Sequence, residues 1–358
     1  MSMYDYGNAR LRGMKSRLLS RRELERLIDS GSVAGLIVEL SKTAYRKPIE
    51  VALGRTSGIG CVAEALRRNL IDTLGGIQRF YRGRARELVT IALRAYDVHN
   101  LKTVLRGLSK QAPPAEIAMA LLPIGELTGS TLENLARAPD PRIAIDLLAS
   151  MRISLAQPLI RLRAERPRAD IPEMELALDR WRFEEARREL QGSSDAAGLL
   201  ADALDLEADF SNLSIIVRFT HSPSERELFR EVWGTDGPQS LFVGPGRLPR
   251  ELLGHAAARN TLESAVEALM DTPYGNALRD GLAAYAQSDR LSEFERHLRR
   301  FRLRWMAGLI RRDPLGIGLP LGYLALKTNE TRNIRWVAHG INLGLKAEEI
   351  RTEVEYPS

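Results

Sequence analysis

The chain has 358 residues, 44% of them hydrophobic, and a formal net charge of +6, so it is long enough for two or three domain-sized units with a sizeable core. Aromatic residues make up only 6%, and the sequence is rich in Leu, Ala, Arg and Glu, which favours helices because these side chains lose little entropy there. The single cysteine, Cys61, excludes an internal disulfide and is typical of a reducing cytoplasm.

The opening segment, Met1 to Asn8, has no apolar stretch and therefore does not predict a signal peptide. Beyond it, apolar residues recur at spacings of three and four, as in amphipathic helices: Leu24, Leu27, Ile28, Leu36, Ile37 and Leu40. The longest uncharged apolar stretch, 314–326, is shorter than the roughly 20 residues that a membrane-spanning helix needs. We expect a protein that is soluble or reaches a membrane only through partners.

A glycine-rich segment at 49–60 looks like the strand and turn of a dinucleotide-binding dehydrogenase, and a Tyr-x-x-x-Lys pair occurs at Tyr323 and Lys327. Such a fold requires strands and helices in alternation. The segments after Gly60 have helical periodicity instead, and the tyrosine and lysine are far away in the sequence. We interpret 49–60 as a loop between helices.

Sequence motifs for chemistry are missing. There is no Gly-Lys pair, so no Walker A phosphate loop is possible, and there is no Gly-x-Ser-x-Gly nucleophile turn. The five histidines form no pair four residues apart, and one cysteine is too few for a structural zinc site. We therefore predict no catalytic residue, no cofactor and no metal site.

The sequence repeats one short motif, an acid followed three residues later by asparagine. The copies are Asp97-x-x-Asn100-Leu101 with Val104, Leu105 and Arg106; Asp209-x-x-Asn212-Leu213 with Ile216, Val217 and Arg218; and, more weakly, Glu330-x-x-Asn333-Ile334 with Val337, Ala338 and His339. Asn100 and Asn212 fall within the apolar stripes of their helices, where an unpaired amide would cost about 1–3 kcal/mol. We expect the asparagines to be structural, tying a helix to backbone groups of a neighbour.

Two further columns extend the repeat. Gly125-Glu126-Leu127 and Gly246-Arg247-Leu248 each lie 87 residues before the next asparagine, and Leu40-x-x-Thr43-x-Tyr45 matches Leu269-x-x-Thr272-x-Tyr274. The order of these columns predicts three similar helical domains, 1–121, 122–242 and 243–358.

Basic residues are densest between Arg296 and Arg312. Across the chain, the basic residues are spread through helical segments beside Glu and Asp, so one interpretation of this patch is a solvated helix face. The other is contact with an acidic partner or anionic lipid head groups. The candidate contact residues are Arg299, Arg300, Arg304 and Arg311.

Several segments together resemble the C-subunit family of V/A-type ATPases, whose eukaryotic member is the d-subunit. The opening Tyr6-Gly7-Asn8-Ala9-Arg10-Leu11-Arg12 with Leu18-Leu19 is similar to the start of that family, and so are Thr43-x-Tyr45, Asp97-x-x-Asn100-Leu101-Lys102, Gly125-Glu126-Leu127, Asn333-Ile334-Arg335, Gly340 and Glu348-Glu349-Ile350. They occur in the family's order over nearly the whole chain. Glu330 and His339 depart from the pattern of the first two motifs.

The resemblance implies an all-α protein of three similar domains around a funnel-like cavity. It implies a non-catalytic component on the cytoplasmic face of the membrane, which links a rotor shaft of the D and F subunits to the proteolipid ring. It would transmit torque between that ring and, indirectly, the catalytic A/B head, during proton or sodium transport. No nucleic acid is expected as a partner. The alternative is a basic helical-repeat scaffold that binds nucleic acid or another protein.

Overall fold

The structure is a computed structural model that describes residues 3–192, 195–221 and 240–356. Every regular element in these ranges is helical, which confirms the predicted all-α class. The first elements are α1 (Asp5–Lys15), α2 (Arg21–Ile28), α3 (Val33–Leu40), α4 (Arg46–Leu53), α5 (Gly58–Leu74), a 3-10 turn (Ile77–Phe80) and α6 (Gly83–Ser109). The middle ones are α7 (Pro114–Ala120), α8 (Gly129–Ala136), α9 (Pro141–Ser150), α10 (Ala156–Glu165), α11 (Ile171–Leu190) and α12 (Asp195–His221). The last are α13 (Arg250–Ala257), α14 (Leu262–Glu267), α15 (Gly275–Ser288), α16 (Leu291–Arg312), α17 (Gly318–Asn342) and α18 (Ala347–Glu353).

Polar caps fix where several helices begin. The Ser20 side chain accepts the N–H of Glu23 while the Glu23 carboxylate accepts the N–H of Ser20, which starts α2. Asp170 and Glu173 make the same reciprocal pair at the start of α11. These bonds satisfy N–H groups that have no partner inside the helix, so they set its first residue.

The prediction of a loop at 49–60 was wrong over most of that range. α4 continues to Leu53 and α5 begins at Gly58, so only 54–57 connect them. Ile49 and Ala52 are fully buried on one side of α4, and this apolar pairing outweighs the glycines that follow. The described part of the chain contains no strand, whereas the dinucleotide-binding interpretation would require strands.

The chain divides into two compact units. The first comprises 1–100, 120–132 and 306–358, and the second comprises 101–119 and 133–305. In the first unit, α2 to α5 share one core with the later part of α17 and with α18: Leu27, Leu36, Tyr45, Ile49, Leu66, Ile334, Val337 and Ile350. In the second, α11 and α12 bury apolar side chains that include Leu178, Phe183, Leu204 and Leu213. The three-domain division stays a prediction.

Within residues 3–192, 195–221 and 240–356, no helix combines the length and the apolar character that crossing a membrane demands.

Candidate functional site

The first acid–asparagine motif holds the loop that precedes α8. Asn100 donates from Nδ2 to the carbonyl of Leu122 at 2.7 Å, and its Oδ1 accepts the N–H of the same residue at 2.7 Å. The two carboxylate oxygens of Asp97 accept the N–H groups of Glu126 at 2.8 Å and Leu127 at 2.9 Å. Asp97 and Asn100 are 0% exposed. Four hydrogen bonds thus clamp one loop to α6.

The second motif makes the same kind of clamp from α12. Asn212 donates from Nδ2 to the carbonyl of Gly244 at 2.9 Å and accepts the N–H of Val243 at 3.0 Å. Asp209 accepts the N–H groups of Arg247 at 2.9 Å and Leu248 at 3.2 Å. The held loop here precedes α13.

A glycine lies against the acid in both clamps. A Cβ on Gly125 would fall 2.1 Å from Oδ2 of Asp97, and one on Gly246 would fall 2.0 Å from Oδ1 of Asp209. No side chain fits at these distances, which explains the repeated glycine. The sequence repeat relates each glycine to the asparagine of the following motif, 87 residues later. In the structure, each glycine instead lies against the acid of the preceding motif. The loop folds back on the helix just completed, a step that sequence spacing does not reveal.

The third motif holds the last described residues. Asn333 donates to the carbonyl of Glu355 at 2.8 Å and accepts its N–H at 3.2 Å. The separation of 22 residues equals that between Asn100 and Leu122. The asparagine of the third motif therefore pairs with the backbone in the same way as that of the first.

The acid of the third motif, Glu330, has different partners. Its Oε1 accepts the hydroxyl of Tyr45 at 2.8 Å and the ammonium of Lys327 at 2.6 Å, and its Oε2 accepts the N–H of Leu19. Lys327 is 4% exposed and Glu330 is 7% exposed, so this is a buried ion pair. Burial lowers the pKa of Lys327, while the charge of Glu330 opposes that shift.

The backbone donors of the three acids stand at related places. Leu127, Leu248 and Leu19 each lie two residues before a helix, namely α8, α13 and α2. The acids of the first and second motifs therefore hold the starts of α8 and α13, the helices that follow them in the chain. The acid of the third motif holds the start of α2, near the beginning of the chain, so the three contacts follow a cyclic order.

The two Thr-x-Tyr segments form the same turn. The Thr43 hydroxyl donates to the carbonyl three residues earlier at 2.7 Å and accepts the N–H of Tyr45 at 3.2 Å. The corresponding distances at Thr272 and Tyr274 are 2.6 Å and 3.3 Å. Both tyrosines are buried and donate to the acid of a motif, Tyr274 to Asp209 at 2.7 Å. The internal repeat in the sequence identifies these segments but not their acceptors.

Burial perturbs the acids unequally. It raises the pKa of Asp97 to about 6, against the two N–H bonds and the charge of Arg94, which lower it. It also raises the pKa of Asp209, where the hydroxyl of Tyr274 opposes the shift. The acceptors of these carboxylates are occupied by structural donors. The described residues contain no group of three or more His, Cys, Asp or Glu side chains placed to hold a metal.

The four candidate arginines all lie on α16 but differ in surroundings. Arg299 is half-buried and lies 3.6 Å from the carboxylate of Glu295. Arg300 is half-buried, whereas Arg304 and Arg311 are exposed. An internal acid thus offsets part of the predicted basic patch, and the assignment of these residues as partner contacts stays a prediction.

Sequence reasoning does not identify Lys327 as the partner of Glu330. The lysine lies three residues before the acid on the same helix, which is a spacing that favours ion pairs. In the sequence it stands out only as part of the Tyr-x-x-x-Lys pattern. The acidic residue at 330 in a predicted buried position is the available clue.

The fold and these motifs define an all-helical protein organised by related helix–loop clamps. A family described as ATP synthase (C/AC39) subunit matches residues 7–353, and the chain belongs to that family. The resemblance inferred from the sequence segments is thereby confirmed.

Three proteins, each named as the C subunit of an A-type ATP synthase, illustrate the similarity. The one from Haloquadratum walsbyi is 27% identical, covering 98% of this chain and 97% of the relative. The one from Pyrococcus abyssi is 25% identical, covering 98% and 90%. The one from Methanocaldococcus jannaschii is 25% identical, covering 98% and 86%. The similarity extends over nearly the full length of each pair.

Proposed function

We propose that this chain is the non-catalytic central-stalk component of a rotary A/V-type ATP synthase. It links a shaft of the D and F subunits to the proteolipid ring on the cytoplasmic face of the membrane. Torque passes through it between the ring and, indirectly, the catalytic A/B head. Membership of the ATP synthase (C/AC39) subunit family supports this proposal.

The observation that carries the proposal is the use of the three motifs. Each acid and each asparagine is buried, and its hydrogen bonds hold a loop or a chain segment in place. A torque-transmitting part must resist deformation, and helices packed at interior density and tied at their loops meet that requirement. An enzyme would instead direct some of its perturbed groups toward a substrate.

The funnel-like arrangement of three similar domains belongs to the same proposal. The motifs hold their following loops in a cyclic order, with the third acid bonded to the N–H of Leu19. This order is what three repeated units around an axis would produce.

Reconstitution tests the role directly. Complexes assembled with and without this chain are placed in vesicles, and ATP hydrolysis and ATP-driven ion uptake are measured on the same preparation. We expect hydrolysis by the catalytic head to persist without the chain while ion uptake stops. Ion uptake at normal yield without the chain would refute the coupling role.

Nucleotide binding provides a second test. The isolated chain should give no saturable heat with ATP and Mg²⁺ in calorimetry at micromolar concentrations. Saturable binding at these concentrations would contradict the non-catalytic assignment.

A further inference from the structure

Helices α6 and α17 share more than their motif. A Cβ on Gly107 would fall 2.6 Å from Cγ1 of Ile117, and one on Gly340 would fall 2.7 Å from Cγ1 of Ile350. In both cases a short helix, α7 or α18, folds back onto the long one. The shift of 233 positions that relates these glycines also relates the asparagines of the first and third motifs. Positions on the face of α6 that carries Lys102 and Arg106 can therefore be matched with positions on α17.

In the first copy an acidic helix, α11, covers this face of α6. Lys102 and Arg106, four residues apart on α6, form ion pairs with Asp179 and Glu175, four residues apart on α11. Arg106 contacts both oxygens of its partner through Nε and Nη2. Because the pairs run in opposite order along the two helices, α11 is antiparallel to α6 at this contact.

The second copy repeats half of this arrangement. Arg218 on α12 holds the position of Arg106 in the motif, and its Nε donates to Glu295 of α16 at 2.7 Å. Two of the three motif helices thus place a basic residue at this position against a glutamate of another helix.

In the third copy the corresponding basic face is open. Its positions are held by Arg335 and His339, both exposed, and no side chain in the described ranges pairs with either. Trp336 lies between them and is 41% exposed. Leu343, the residue that follows the last residue of α17 and lies four positions after His339, is 73% exposed. We call these four residues the α17 face. A large aromatic beside basic groups is a common centre of a protein interface.

We propose that the α17 face docks an amphipathic helix of another subunit, with two carboxylates one turn apart that pair with Arg335 and His339. The helix would lie antiparallel to α17 and pack apolar side chains on Trp336 and Leu343, as α11 lies on α6. The inference rests on the proposed function in one respect, that the chain works within a multisubunit assembly. An anionic membrane surface is the poorer match, because such surfaces attract clusters of four or more basic residues.

Photo-crosslinking in the assembled complex tests the occupant. A benzophenone amino acid replaces Trp336 in the full chain, the complete complex is irradiated, and the crosslinked peptide is sequenced by mass spectrometry. We expect one major adduct, to a helical segment with acidic residues four apart. Adducts to lipid, to a segment without such acids, or to no other subunit would each overturn the proposal.

Charge reversal tests the electrostatic part. The probe is the complex stripped of this chain, titrated with purified wild-type or variant chain, and Kd is measured at two salt concentrations. Arg335→Glu should weaken binding by about tenfold or more at low salt and by less at high salt. Arg55→Glu, an equal charge change at an exposed site of the same unit, should stay within about twofold.

The results separate the two proposals. If Arg335→Glu binds and couples like wild type, the docking inference falls and the coupling role stands. If wild-type chain restores no ion uptake to the stripped complex, the coupling role falls on its own measurement. Circular dichroism and thermal unfolding of Arg335→Glu should match wild type because the residue is exposed.

Discussion

Asp97 and Glu330 occupy the same place in their motifs, yet the protein keeps the two buried acids in different ways. Among the described residues, Asp97 has only the two backbone N–H donors, and its pKa rises to about 6. Glu330 has a backbone N–H, a tyrosine hydroxyl and a lysine ammonium. Neutral donors suffice to hold a loop, but they leave an ionised carboxylate expensive at neutral pH.

Asp209 lies between these cases. It has the two N–H bonds of Asp97 and, in addition, the hydroxyl of Tyr274. Tyr274 lies 26 residues after Leu248, and the residue 26 positions after Leu127 is Ile153, which has no hydroxyl to donate to Asp97. The three motifs therefore form a series with two, three and three donors, of which only the last includes a cation. The series predicts graded responses to mutation and pH.

The largest effect is expected at the cation. Lys327→Met should lower the free energy of unfolding by about 3–5 kcal/mol, because Glu330 is then left buried without a counter-charge. Urea unfolding followed by circular dichroism measures the change. Lys47→Met, at an exposed site of the same unit, should change the value by less than about 0.5 kcal/mol.

The double variant Lys327→Met with Glu330→Leu sharpens the first case. Removing both charges removes the uncompensated one, so the double variant should be more stable than Lys327→Met alone. If the double variant is the less stable of the two, the hydrogen bonds of Glu330 to Tyr45 and Leu19 matter more than its charge.

A smaller loss of stability is expected when the loop contact that Asp97 and Asp209 share, with a glycine against the carboxylate, is disrupted. Gly246→Ala places a Cβ where Oδ1 of Asp209 lies and should destabilise by about 2–4 kcal/mol. Gly198→Ala is the matched control, since it lies in α12 with open space around it. That variant should be neutral or stabilise by about 0.5–1 kcal/mol. Equal effects of the two would show that the loop moves to make room for the methyl group, so that the contact with Asp209 does not require glycine.

Asp97 should make stability depend on pH. Its folded pKa of about 6 lies above the ordinary 3.8, so its contribution is complete below pH 3.8 and is lost as pH rises through 6. The loss amounts to about 2–3 kcal/mol. Asp97→Asn cannot titrate there, so the gap between wild type and this variant should narrow from pH 4 to pH 7.5.

Unfolding curves at several pH values between 4 and 7.5 measure that gap. Asp72→Asn, at an exposed site in the same unit, serves as the control and should follow wild type throughout. A gap that widens with rising pH would mean that ionised Asp97 is the stable form, in contradiction to the comparison with Glu330.

Sequence reasoning identifies what is local and misses what is distant. Periodicity predicts the helices, and the motif predicts which asparagines need partners in an apolar stripe. The partners are not predictable, because the hydroxyl of Tyr45 reaches Glu330 across a separation of 285 residues. The shared spacing within each Thr-x-Tyr turn identifies the donor but carries no information on its acceptor.

The shared glycines show the same limit. Gly125 and Gly246 stand out by their matching distance to the next asparagine, yet they are required by the carboxylates of the preceding motifs. A glycine without an obvious turn indicates close approach. Only the packed structure shows which group approaches.

The smallest effect separates the two tyrosines. Tyr274→Phe should destabilise by about 1–2 kcal/mol near neutral pH, because Asp209 loses a buried charge-assisted hydrogen bond and keeps only the two N–H donors. Tyr45→Phe removes the hydrogen bond to Glu330 and the one that the hydroxyl accepts from Lys327 at 2.9 Å. It should still cost less, since Lys327 remains beside Glu330 as its counter-charge. Burial already raises the pKa of Asp209, and without the hydroxyl it should rise further. The cost of Tyr274→Phe should therefore shrink as pH falls and the acid becomes neutral.

Tyr6→Phe, which removes an exposed hydrogen bond to Arg10, should stay within about 0.5 kcal/mol. Urea unfolding of the three variants at pH 7.5 and pH 5 gives the comparison. A cost for Tyr45→Phe equal to or above that for Tyr274→Phe would mean that the lysine does not compensate for the lost hydroxyl, and the proposed series of donors would fail at its last step.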